Sequence, residues 1–118
     1  MGVVKGDKLE DLKALLGDDA EAKETGIVYD LLRRRAEYAR LLIFFFVKGS
    51  EGKMRLDLAE VIDFLKHEYN SVKNWVRAFT KTGLINISYR PHQYFYIHIN
   101  LDKFEQRYID AAKEILKP

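Results

Sequence analysis

The chain contains no cysteine, which removes disulfide frameworks, thiol nucleophiles and cysteine-based zinc sites from consideration and points to an intracellular setting. Proline occurs twice and glycine seven times in 118 residues, too seldom for a collagen-like or linker-dominated chain. The longest purely apolar run, Leu41 to Val47, has seven residues. A membrane-spanning helix needs roughly 20, so no span is expected. The beginning, MGVVKGDKLEDLK, turns acidic at once and lacks the apolar stretch and small-residue cleavage site of a secretory signal, so a cytoplasmic location is expected. Histidine occurs three times, at 67, 92 and 98, without H-x-x-x-H spacing, and no metal site is expected. There is no Gly-rich phosphate loop, no G-x-S-x-G elbow, and no carboxylate pair that ordinary helix surfaces do not explain. Neither a cofactor nor an enzymatic activity is expected.

What the chain does have is apolar content of 47%, enough for one domain core at this length. Its charge is unevenly spread. The net +2 divides into −4 over residues 1–30, +6 over 31–101 and zero over 102–118. Within the basic part, Tyr69 to Leu101 holds Lys73, Arg77, Lys81 and Arg90 and no carboxylate at all. A stretch with one sign of charge favours an anionic partner.

Periodicity supplies the elements. Asp7 caps a helix ending at Gly17, with Leu9, Leu12, Leu15 and Leu16 at helical spacing; the acidic stretch to Gly26 then reads as a linker. Residues 1–26 are thus an acidic extension, and 27–118 the main domain. Ile27 to Val47 has no Gly or Pro and predicts one long helix, stopped by Lys48 and Gly49. Its half LLIFFFV is apolar on every side, so the domain or a second subunit must wrap it. MRLD reads as a short extended piece. Asp57 and Glu60 make a capping-box start for a helix to about His67. After the turn EYN, a further helix is expected over 71–82, capped by Asn70 and ended by Gly83. Two-residue alternation in LINISY and in YFYIHINL predicts a hairpin across Arg90-Pro91-His92-Gln93. Asp102 caps a last helix with Phe104, Tyr108, Ala112, Ile115 and Leu116 as its apolar stripe.

The expected class is therefore α+β and mostly helical. The stretch LDLAEVIDFLKHEYNSVKNWVRAFTKTGLINI, with Gly83-Leu84-Ile85 leading into a hairpin, resembles the winged helix-turn-helix family of archaeal and bacterial transcription regulators. The resemblance covers residues 27 to 117. The turn HEYN lacks the glycine that many members place there. It implies a duplex-DNA-binding dimer, with helix 71–82 in the major groove and the hairpin 84–101 as a wing on flanking backbone or minor groove.

The residues can be read independently. At about 100° per residue, Val72, Trp75, Val76 and Phe79 share one side of the helix, and Asn70, Asn74, Arg77 and Lys81 fall opposite within about 60°. Arginine and lysine donate to guanine O6 and N7, and asparagine pairs bidentately with adenine. Asn74 and Arg77 are the candidates for base edges, Asn70 lies on the same stripe, and Ser71, Lys73 and Lys81 are candidates for backbone contact. At the wing tip, Arg90, His92 and Gln93 are placed to reach minor groove or phosphates. Tyr89, Tyr94 and Tyr96 are read as packing across the hairpin. Arg33, Arg34 and Arg35 span too wide an arc to share one face and are read as solvated or ion-paired. A two-fold homodimer would set two such helices about 34 Å apart. The rival reading is a winged-helix protein-interaction module in a larger nucleic-acid-processing complex.

Overall fold

Between residues 23 and 50 the chain forms two helices where periodicity predicted one, α1 over 23–34 and α2 over Ala36–Ser50. The computed structural model describes residues 23–89, 91 and 95–118; the helix expected over 7–17 lies outside them. The break has a physical cause. On a straight helix the buried Val28, Leu31, Leu32, Tyr38, Ala39, Leu42 and Phe45 would form one stripe with Arg35 in its middle. Burying an unpaired guanidinium is costly. Arg35 instead becomes extended (φ −164°, ψ 153°), stays exposed, and lies 4.7 Å over the ring of Trp75.

The elements that follow are β1 (Arg55–Asp57), α3 (Leu58–Leu65), α4 (Tyr69–Phe79), a 3₁₀ turn at Thr80–Thr82, β2 (Ile85–Tyr89), β3 (Phe95–Ile99), a second 3₁₀ turn at Leu101–Lys103 and α5 (Gln106–Leu116). The architecture is α+β: mostly helix, with one three-stranded antiparallel sheet in the order β1-β3-β2. Leu56 sits opposite Ile97, while Ile85, Ile87 and Tyr89 face Ile99, Ile97 and Phe95. The alternation seen in the sequence therefore sets the register, and Ile85, Phe95, Ile97 and Ile99 turn inward.

LLIFFFV is wrapped largely from within the chain. Leu41, Leu42 and Phe45 are buried completely. Phe44 stacks on Phe64 of α3 at 4.3 Å, Phe45 meets Phe79 of α4 edge-on at 5.5 Å, and Phe46 reaches Phe104, just before α5, at 6.2 Å. The helix also runs past its expected stop. Gly49 is buried inside its last turn, where an added Cβ would stand 2.9 Å from Leu101 Cδ1; the glycine serves close packing here instead of termination.

Other boundaries shift for local reasons. α3 forms the expected Asp57–Glu60 capping box but ends at Leu65, because Lys66 turns left-handed at φ 59°. That earlier turn lets the next helix begin sooner: α4 is capped by Glu68, and Asn70 is inside its first turn rather than its cap. The α-helix gives way to a 3₁₀ turn after Phe79, and Gly83 (φ 75°) ends it as expected. Asp102 falls in a 3₁₀ turn, so α5 starts three residues later than expected, with Glu105 at its N-cap position. Its stripe buries Tyr108, Ile109 and Ala112 but leaves Ile115 and Leu116 exposed.

Candidate nucleic-acid interface

The amphipathic spacing of α4 fixes which side chains leave the domain. Val72, Val76 and Phe79 are buried against the core and Trp75 is half-buried, so Asn70, Asn74 and Arg77 face outward, with Lys81 exposed one turn further on. Lys73 and Ser71, at the edges of that stripe, are half-buried. All six α4-side candidates therefore lie on or beside one surface. Arg90, His92 and Gln93, expected at the wing tip, lie outside the described residues, as does Tyr94.

The two cations of α4 do not project freely. Lys73 Nζ lies 5.6 Å over the ring of Tyr69. The Arg77 guanidinium lies 5.7 Å over Tyr89 and donates to the Tyr89 hydroxyl at 3.2 Å. Tyr89 is 63% exposed and touches Phe95 edge-on at 6.0 Å, so it packs across the hairpin as expected and also reaches α4. Its contact with Arg77 was not legible in the sequence, because it depends on how the hairpin leans toward the helix. Tyr96, half-buried, carries the Arg55 guanidinium at 4.6 Å.

A polar joint sets that lean. The buried Thr82 hydroxyl donates to Phe79 O at 2.7 Å and accepts from Leu84 N–H at 3.0 Å. Asn100, at the far end of β3, donates through its amide to Gly83 O at 2.9 Å and through its backbone to Leu84 O at 2.9 Å. These bonds tie the end of α4 to both strands of the hairpin.

One group works against an anion here. Glu68, the α4 cap, brings an exposed carboxylate to the helix N-terminus, and Ser71 Oγ donates to it at 3.4 Å. Sequence reading that began the helix at Ser71 left this acid outside the site. It disfavours a phosphate at that end and moves the anion-binding capacity toward Arg77 and Lys81.

A separate cleft of about 270 Å³ lies between α1 and α5. Glu24, Asp102 and Glu105 face Lys103 and Arg107 there, and Arg107 is already engaged by Glu105 at 2.8 Å and Thr25 at 2.9 Å. The Arg107 hydrogen bond holds the Glu105 carboxyl below its ordinary range, and Glu105 in turn raises Arg107. The pairing of Arg107 with Glu105 leaves little of either charge for a ligand. Among the described residues no three His, Asp or Glu side chains converge on a metal-sized site, and no helix is long and apolar enough to cross a membrane.

No family model, curated protein or solved structure matches this chain.

Proposed function

We propose that this chain is a winged-helix protein that binds double-stranded DNA in a sequence-specific manner, as a small dimeric transcription regulator. α4 enters the major groove, the β2–β3 hairpin serves as the wing, and the protein acts by occupying DNA without chemistry. One observation carries the reading: an exposed polar surface, Asn70, Asn74, Arg77 and Lys81, in a 33-residue stretch free of carboxylates, is hydrogen-bonded through its end to an antiparallel hairpin. Arg77 has the donors for guanine and Asn74 the donor and acceptor for adenine. Dimerisation is supported by α5, whose Ile115 and Leu116 remain 39% and 37% exposed, more than by the mostly covered LLIFFFV.

The test is duplex binding over a salt series with a pool of random duplexes. A DNA reader loses affinity steeply as salt rises and enriches inverted half-sites about one helical turn apart. Flat salt dependence and no enrichment would refute the reading.

A further inference from the structure

The three consecutive arginines at the α1–α2 junction separate into three environments. Arg33 pairs with Asp30 at 3.8 Å, and Arg35 covers Trp75. Arg34 has neither kind of contact: among the described residues it makes no hydrogen bond, ion pair or ring contact, and it is exposed. It lines a shallow groove with Ile27, Asp30, Leu31 and Lys81, and Lys81 is likewise without a partner among the described residues. Two cations without a partner among the described residues, one at the end of α1 and one just past α4, thus share one concavity. Its single carboxylate, Asp30, is set against Arg33 as well as these two.

We propose that this groove is a second contact for the phosphodiester backbone of a DNA duplex, made by Arg34 and Lys81 beside the α4 face. The inference rests on the duplex-binding reading above and adds to it a site on α1. Lys81 is the geometric link, since it lies exposed one turn beyond the outward stripe of α4 and also lines the groove. A duplex that takes α4 into its major groove must carry a phosphate strand past one end of that helix. At the Lys81 end it meets positive charge on two elements, whereas at the other end it meets Glu68. Charge complementarity therefore selects the Arg34 side. Because both contacts are to phosphate, they strengthen binding without choosing a sequence.

The experiment measures affinity of the full chain for a duplex selected from the random pool, and for an unrelated duplex, across a salt series. Arg34→Gln is expected to weaken binding to both duplexes by the same factor and to lower the salt slope by about one. Arg34→Lys should restore the slope, since a point charge suffices for a phosphate, and Asp30→Asn should tighten binding to both. Arg77→Ala reports on the primary site by erasing the preference between duplexes. If Arg34→Gln leaves slope and affinity unchanged while Arg77→Ala erases preference, the groove proposal is overturned and the duplex-binding reading stands. An Arg34→Gln effect confined to the selected duplex overturns it too, because that is base readout. If the unsubstituted chain shows no salt-dependent binding, both fall together.

Discussion

Aromatic rings do different work on α2 and on α4. Along α2 they meet chiefly other rings, Phe44 on Phe64, Phe45 on Phe79 and Phe46 near Phe104, with Lys48 and Arg40 lying over the Phe44 and Phe64 rings as well. Along α4 and its neighbours they meet cations: Tyr69 under Lys73, Trp75 under Arg35, Tyr89 under Arg77. Ring-on-ring contact, fully buried for Phe45 on Phe79 and partly for the other two pairs, is stabilisation, because it removes carbon from water. A cation over an exposed ring contributes little to stability but narrows the directions a flexible side chain explores, which lowers the ordering cost of binding. The first region holds the fold; the second presents it.

The largest expected effect is on the first region. Phe45→Ala removes a completely buried ring and leaves a cavity against Phe79, costing about 3–5 kcal/mol in denaturant titrations. A loss below about 1 kcal/mol would mean that the site collapses freely and that α2 is not the centre of the core. In the second region the two readouts trade places. Arg77→Ala is expected to stay within about 0.5 kcal/mol of the parent in stability, since it is exposed. Its duplex discrimination should fall by about 1–3 kcal/mol at one base pair. If the variant is instead destabilised with its preference intact, the Arg77–Tyr89 contact is structural and the comparison fails.

Tyr89→Phe sharpens the same comparison. It keeps the ring beneath Arg77 and removes only the hydroxyl that accepts from Nη2 at 3.2 Å. If that bond aims the guanidinium, affinity for a selected duplex drops by about 0.5–1.5 kcal/mol while stability and salt slope stay fixed. A change in the slope alone would point to a phosphate contact near the tyrosine.

What could be read in advance follows the same division. The apolar spacing of Val72, Val76 and Phe79 names the inner face of α4, and hence its outer one, because helical period and burial are local facts. Ile85, Ile87, Ile97 and Ile99 give the strands and Gly83 the turn for the same reason. What depends on distant partners was not legible. β1 pairs with β3 across some 40 residues, and no pattern within RLD selects that strand. The break at Arg35 left a trace, a charged residue at the centre of an otherwise apolar stripe, but an unbroken run free of Gly and Pro outweighed it. Glu68 displaced Asn70 at the α4 N-cap position because Lys66 turned left-handed one residue ahead of where sequence pattern ends α3. That slip moved a carboxylate into the site.

The smallest effect probes a contact that belongs to neither region. Glu60 closes the capping box of α3, accepting from Asp57 N–H at 3.0 Å, and also bonds Lys53 from the turn after α2. The Lys53 hydrogen bond is the main reason its carboxyl lies below the ordinary 4.5, with the Asp57 N–H adding to it against the opposing effect of burial. A carboxyl whose value is lowered by folding adds stability above its unfolded value, and loses it as pH falls through the folded one. Glu60→Gln keeps an acceptor for the cap and deletes the charge. Both partners are more than a third exposed, so solvent screening limits the difference to about 0.5 kcal/mol. Urea titrations should show that gap above pH 4.5 and its closure in more acidic solution. A gap unchanged by acid would assign the loss to the cap, because an amide replaces a carboxylate there at every pH, and would remove the Lys53 pair from the forces holding α3 beneath α2.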